Sequence, residues 1–187
     1  ASERPLKDND MSTYGIPPAQ GLYDGQHEHD ACGVGFLANI KGMKSHDVIQ
    51  RGIKILCNLS HRGATGADVL DGDGAGILIQ IPDALYRAVA GLELPITGDY
   101  GTGIVFLPRD EKVRAACMQA LDAAVADYDL QLIGWRDVPV DNNTLGRQAK
   151  ATEPALKQVF IGRGKVPPKK FESTLYLARK RAENLVR

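Results

Sequence analysis

Apolar and polar positions change period several times along the chain, and each change marks an element. "CGVGFLANI", residues 32–40, is a short apolar run that predicts a strand, with Lys41-Gly42 as the following turn. "SHDVIQRGIKILCNLSHR" shifts to helical spacing: Ile49, Ile53, Leu56 and Ser60 share one side, while Val48, Ile55 and Leu59 widen the apolar stripe. Ser45 is the expected cap, and Asp47 lies in the first turn, where the helix's partial positive charge favours a carboxylate. Gly52 weakens this helix, and the sequence shows no packing reason for it. "GAGILIQI", residues 74–81, predicts a buried strand, and Pro82-Asp83 opens a helix to about Ala90.

The second half alternates more regularly. "GTGIVFLP" at 101–108 predicts a strand and residues 110–126 a helix. In that helix Val113, Cys117, Leu121 and Val125 fall along one face, which reads Cys117 as a core residue. "LQLIGWRDV" at 130–138 is a strand ended by Pro139, "NTLGRQAKATEP" a loop or short helix, and "ALKQVFIG" a fifth strand. A basic, Pro-rich connector, "RGKVPPKK", leads into "FESTLYLARKRAENLVR", where Phe171, Leu175, Ala178, Ala182 and Leu185 recur at helical spacing. The chain stops on that apolar face. Strands and helices alternate around one or two sheets, in the α/β or α+β range. Strands sandwiched between outer helices satisfy the apolar runs as well as a doubly wound parallel sheet does. The absence of internal repeats excludes a solenoid.

Composition narrows the function classes. A chain of 187 residues is one domain by length, and its 23 basic residues balance its 23 acidic ones. No global field therefore recruits nucleic acid or anionic lipid. The basic run from Arg163 to Lys170 has no interleaved aromatic and reads as a solvated connector rather than an RNA surface. No apolar stretch is long enough to cross a bilayer, so no membrane association is expected. Three scattered cysteines, an odd number, fit a reducing, cytoplasmic setting. Residues 1–31 are polar, broken by Pro and Gly, and read as an irregular leader: a flexible arm is the bland alternative, and Ile16, Leu22 and Tyr23 are the residues able to dock it against the body.

Two stretches carry candidate chemistry. Cys32 stands between Ala31 and the Gly33-Val34-Gly35 run, so side-chain bulk is removed where a substrate would approach a sulfur nucleophile. A buried cysteine at a strand start is the plainer explanation, and the residues alone leave both open. His27, Glu28 and His29 precede it without matching a dependable zinc spacing, and no metal site is assigned. "SHRGATGADVLDGDGAG", residues 60–76, gathers one imidazole, one guanidinium, five glycines and three carboxylates. Arg62 suits a bidentate grip on a substrate carboxylate, and Asp68, Asp71 or Asp73 suits an ammonium; a surface loop with turn glycines is the bland alternative. The stretch lacks the Gly-Lys-Ser/Thr of a phosphate loop and the terminal glutamate of a calcium hand.

Together, "HDACGVGFLANI", "LSHRGATGAD" and "DGDGAGILIQIP" resemble the N-terminal class II glutamine amidotransferase domain of the glutamate synthase large subunit. The resemblance is strongest from His29 to about Pro82 and runs more loosely to residue 184. It implies an α+β fold, the four-layer αββα sandwich of the N-terminal-nucleophile superfamily, incomplete at the C-terminus. It also implies an organisation in which 1–31 is a pro-segment and 32–187 part of the amidotransferase domain. Glutamine is the implied substrate, its ammonia passing to 2-oxoglutarate in a separate domain. Cys32 matches the catalytic N-terminal cysteine, freed by cleavage between Ala31 and Cys32, and Arg62 matches the arginine of the glutamine carboxylate. Gly63, Asp68 and Asp73 are the accompanying substrate-loop candidates.

The resemblance places FMN and an iron–sulfur cluster elsewhere in full-length family proteins and no cofactor in this chain. The remaining synthase domains and a small subunit are the implied partners. Two departures shape the expectation. The leader still precedes Cys32, and the family's oxyanion-hole Asn-Gly element has no match: "DNNTLG" contains Asn142 and Asn143 without its context. An inactive precursor or fragment is therefore expected. The alternatives are a class II amidotransferase serving amino-sugar or purine synthesis, a non-catalytic glutamine-binding or regulatory relative, and a structural metal module at His27 to Cys32.

Overall fold

The computed structural model describes residues 20–21, 33–59, 70 and 74–186. The chain divides into two compact units, Ala1–Ile77 and Leu78–Arg187.

In the second unit three strands form one sheet: β1 (Tyr100–Leu107), β2 (Gln131–Asp137) and β3 (Ala155–Gly162), in the order β1-β3-β2. The last strand in sequence inserts between the first two and runs antiparallel to both, pairing Tyr100 with Gly162 on one side and Gln131 with Gly162 on the other. An antiparallel sheet replaces the doubly wound parallel alternative, and the α+β class stands. As the central strand, β3 is the one that buries consecutive residues, Gln158, Val159 and Phe160, whereas β1 is buried only at its ends and β2 is nowhere fully buried.

Helix α3 (Glu111–Asp127) starts where expected, because Asp110 Oδ1 accepts the Val113 N–H at 2.9 Å. With α5 (Phe171–Leu185) it covers one sheet face. Val125, Leu130, Val166, Phe171 and Ala178 form the core there, flanked by Leu121, Leu132, Ile161 and Leu175. Gly101 admits Leu175: a methyl group on it would come within 2.7 Å of Leu175 Cδ1. The apolar face of α5 thus finds its cover within this unit, with Leu185 left exposed. Cys117 is half-buried rather than a core residue, because the turn of α3 that carries it and Val113 reaches past the core.

On the opposite sheet face Phe160 is fully buried. The Tyr86 ring of α2 (Asp83–Val89) meets it edge-on at 5.3 Å and 87°, and Tyr100 lies at 6.4 Å. A short α4 (Arg147–Thr152) precedes β3, and one 3-10 turn, Pro168–Lys170, precedes α5.

The first unit contributes α1 (His46–Asn58). Ser45 Oγ accepts the Asp47 N–H at 3.1 Å, as the sequence predicts. Its half-buried side is Val48, Ile49, Gly52, Ile55, Leu56 and Leu59; Ile53, expected on that side, is exposed. Two expected strands are absent. Residues 33–39 and 74–80 have no strand pairing, and Val34, Phe36, Ile40 and Leu78 are exposed. A helix satisfies its backbone from its own residues, but a strand exists only with a neighbour to pair with. Apolar content alone cannot supply one.

Candidate functional site

The residues that the sequence singles out for chemistry, Ala31, Cys32, Arg62, Gly63, Asp68 and Asp73, lie outside the described residues. Their immediate neighbours do not. Gly33, which follows Cys32, lies against Leu59 at the end of α1, and Gly35 lies against Ile55 one turn earlier. A methyl group at Gly33 would come within 2.7 Å of Leu59 Cδ2, and one at Gly35 within 2.5 Å of Ile55 Cγ2. The glycines around Val34 therefore have a packing reason: they let the backbone lie on the helix. Room for a substrate, the reason inferred from sequence, is not needed to account for them.

Gly52 acquires its missing explanation in the same way. A methyl group there would approach Ile77 Cδ1 to 3.0 Å, so the glycine admits the Ile77 side chain. Gly52, Ile55 and Leu59 recur at three- and four-residue spacing, so a single stripe of α1 receives both apolar segments. Leu59 is also the last residue before the stretch beginning at Ser60. The Gly33–Leu59 contact thus joins the neighbours, along the chain, of the cysteine-bearing and arginine-bearing segments.

Asn142 is otherwise engaged. Its Nδ2 donates to both carboxylate oxygens of Glu153, at 3.2 and 3.1 Å, and the Asn143 N–H donates to Asp141 Oδ1. Glu153 in turn pairs with Arg109 at 3.3 Å, and Arg109 Nε donates to its carbonyl. This is a clamp on the approach to β3, and it supports withholding an oxyanion role from Asn142.

Among the described residues no three His, Cys, Asp or Glu side chains come together as a metal site. The whole chain holds three cysteines, fewer than the four thiolates of a common iron–sulfur cluster, so this stretch does not fit that group. A cavity of about 290 Å³ at the end of the sheet is lined by Arg114, Asp137, Val138, Leu156 and Lys157 among others, with Lys157 Nζ 2.6 Å from Asp137 Oδ1. It contains none of the sequence-predicted site residues.

Three polar clusters shape the second unit, and sequence reading passed over all of them. Tyr100 donates to Asp83 Oδ1 at 2.8 Å, and Arg87 Nε donates to Asp83 Oδ2 at 2.9 Å. Arg87 also donates to the carbonyls of Leu94 and Pro95, fastening the loop after α2. The hydrogen bonds from Arg87 and then Tyr100 hold the Asp83 carboxyl below its ordinary range. Burial, and next the Asp83 hydrogen bond, push the Tyr100 phenol up to about 12. Arg163 grips Asp99 through Nε at 2.8 Å and Nη2 at 3.1 Å, lowering that carboxyl as well. The third centres on Gln158, whose Nε2 donates to Thr102 Oγ1 and whose Oε1 accepts from Arg136, and its signal was legible: a polar residue between Leu156 and Phe160 on an otherwise apolar strand side.

Comparison with known proteins supplies the remaining information. The family model described as "Glutamine amidotransferases class-II" matches residues 32–187. The glutamate synthase [NADPH] large chain of Bacillus subtilis (strain 168) is 42% identical over 172 residues, covering 90% of this chain and 11% of the relative. The glutamate synthase [NADH] of Schizosaccharomyces pombe is 38% identical over 181 residues, covering 91% of this chain and 9% of the relative. Ferredoxin-dependent glutamate synthase 2 of Synechocystis sp. is 34% identical over 160 residues, covering 84% and 10%. The chain spans about a tenth of the length of these relatives.

Proposed function

Because this chain belongs to the class II glutamine amidotransferases, we propose that it forms the ammonia-releasing part of a glutamate synthase. One observation carries the reading. The family match begins at Cys32, the nucleophile candidate that the resemblance aligns with the catalytic cysteine.

In this reading the Ala31–Cys32 bond is cut, and the cysteine acquires a free α-amine with an ordinary pKa near 8 in place of an amide nitrogen that cannot act as a base. The amine takes the thiol proton, directly or through a water, and the sulfur attacks the side-chain amide carbon of glutamine. Collapse of the tetrahedral intermediate expels ammonia, which leaves with the proton held by the amine. Water then hydrolyses the thioester, releasing glutamate and restoring the thiol. Arg62 holds the substrate carboxylate, with Gly63, Asp68 and Asp73 along the same loop.

Residues 1–31 act as the pro-segment, and 32–187 belong to the αββα domain. The contact of Gly33 with Leu59 supports this arrangement, since it ties the residue after the nucleophile to the helix leading into the Arg62 loop. Ammonia passes to 2-oxoglutarate in another domain, where FMN and an iron–sulfur cluster supply the electron chemistry. A thiol nucleophile suits the cytoplasm. With the leader in place and no oxyanion donor assigned, this stretch alone is an inactive precursor.

Glutamine hydrolysis by three forms tests the reading: protein beginning at Cys32, protein retaining residues 1–31, and leader-free Cys32→Ser. Ammonia release by the first form alone is expected. Equal release by the leader-bearing form would eliminate the terminal amine as base. Glutamine binding without hydrolysis by complete, leader-free protein would favour the non-catalytic relative.

A further inference from the structure

Three chemistry-bearing stretches of the chain have described neighbours on a single stripe of α1. Gly33, one residue past Cys32, lies against Leu59, and Leu59 stands three residues before Arg62. Ile77, four residues past Asp73, lies against Gly52. Of these contacts, Gly33–Leu59 is the one that joins two of the stretches at once. Leu59 is held there by its backbone: its N–H donates to the Ile55 carbonyl at 3.0 Å and to the Leu56 carbonyl at 3.1 Å, closing the last turn of the helix. Its side chain meets Gly33 with the whole of its branched end. A methyl group on Gly33 would lie 2.7 Å from Cδ2, 3.0 Å from Cδ1 and 3.1 Å from Cγ. The Gly33 backbone therefore rests on the Leu59 branch, and the size of that branch sets how closely it approaches α1.

Covalent geometry carries that spacing outward. One peptide step of about 3.8 Å leads from Gly33 to Cys32, and three such steps lead from Leu59 to Arg62. In the ammonia-releasing reading, on which this inference rests, those two residues hold opposite ends of one substrate. The thiol attacks the side-chain amide carbon, and the guanidinium grips the α-carboxylate. The separation of nucleophile and grip must then match the length of substrate between its reacting carbon and its carboxylate. Glutamine and asparagine carry the same two groups and differ in that length by one methylene. A misplacement of about 1 Å costs on the order of 100-fold in rate, so a joint that fixes the separation also chooses between them. Ile55 meets Gly35 a turn further from both stretches, so the joint is Leu59.

We propose that Leu59, seated against Gly33, is the positioning residue that sets the distance between the Cys32 thiol and the Arg62 grip, and so selects glutamine over asparagine. Shortening Leu59 lets the Gly33 backbone settle toward α1 and favours the shorter amide. A methyl group on Gly33 pushes that backbone away and favours the longer one.

The test measures Cys32 alkylation in the complete, leader-free protein by the diazoketone analogues of L-glutamine and L-asparagine. The diazo carbon takes the thiol proton, loses dinitrogen and bonds to sulfur, and mass spectrometry follows the adduct. Loss of folded protein lowers both rates in proportion, so their ratio reports separation rather than stability. Leu59→Ala is expected to lower the glutamine-to-asparagine ratio about tenfold or more, and Gly33→Ala to raise it. Leu59→Met, which keeps the reach, and the paired Gly33→Ala/Leu59→Ala change, which puts a methyl where the branch was, are expected to restore it. Ile53→Ala, on the exposed side of α1, is expected to leave it unmoved. Should alanine at position 59 abolish α1 protection in hydrogen exchange, Leu59→Val makes the same comparison with a smaller cut. An unmoved ratio in the Leu59 variants, or an equal change with Ile53→Ala, overturns the proposal alone. Neither alkylation of Cys32 nor glutamine hydrolysis by the unaltered protein would overturn the ammonia-releasing reading itself, and the proposal with it.

Discussion

Val34 and Phe160 both occupy apolar runs that read as strands, and they end in opposite surroundings. Phe160, in the second unit, is 0% exposed between two ring neighbours; Val34, in the first, is 92% exposed with no strand pairing around it. Their local sequences differ little in hydrophobicity. What differs is the company. Phe160 sits on a strand with a partner on each side and elements over both faces, whereas residues 33–39 have no strand partner and lie against one helix at Gly33 and Gly35. Burial is thus a property of the assembled sheet, and an apolar run is only a candidate for it.

The contrast predicts a ranked set of effects. Phe160→Ala should destabilise the second unit most, by about 3–5 kcal/mol for a buried aromatic, measured by chemical denaturation with its amide signals as the probe. A loss below about 1 kcal/mol would mean that this core is not the one that holds the unit together. Gly164→Ala should follow. Gly164 has φ +58°, where a side chain costs about 1–3 kcal/mol, and a methyl group there would also strike the Asp129 carbonyl.

Gly35→Ala probes the first unit in the same way. The methyl would meet Ile55 Cγ2, which a β-branched side chain cannot swing aside, and overpacking of about 1–3 kcal/mol should appear as loss of α1 protection in hydrogen exchange. Gly33→Ala should be milder, because Leu59 Cδ2 is the end of a more flexible side chain. Equal tolerance of alanine at 33 and 35 would argue against the packing on α1.

Acid and alkali sharpen the difference between units. The Asp83 and Asp99 carboxyls are depressed in the folded second unit, so their stabilisation is present above about pH 4 and fades as pH falls through their lower folded values. The Tyr100 phenol is raised to about 12, so its contribution is complete below about pH 10 and is lost as pH rises from there to about 12. Tyr100→Phe should remove the alkaline transition and leave the Arg163–Asp99 part of the acid one. The smallest effect belongs to Phe36→Ala, expected within about 0.5 kcal/mol, since that side chain is exposed. A large loss there would reveal burial of residues 33–40 in solution.

Much of the second unit was legible from the pattern of residues. β3 spans Ala155–Gly162, the run read as "ALKQVFIG", and α3 begins one residue beyond its Asp110 cap. The α1 cap at Ser45 was equally plain. Strand order was not legible, because nothing local in "ALKQVFIG" says that it inserts between two earlier strands. Nor were the uses of glycine: Gly33, Gly35 and Gly52 are explained by side chains at positions 59, 55 and 77, far from them in sequence. For the candidate site the balance reverses. Cys32 and Arg62 were candidates on their chemistry and took their expected roles from the family resemblance, and the fold adds the Gly33–Leu59 contact between their neighbours in the chain.

By itself the sequence determined the helices, two of their caps and the family, and it named Cys32 and Arg62 as candidates, because each of these is written in neighbouring residues. Only the tertiary structure decided which apolar runs became strands, which glycines serve close packing, and which way the Gln158 amide turns Arg136. Those outcomes depend on partners brought together across the chain, and a hydrogen bond or a packed side chain has no address in the local pattern.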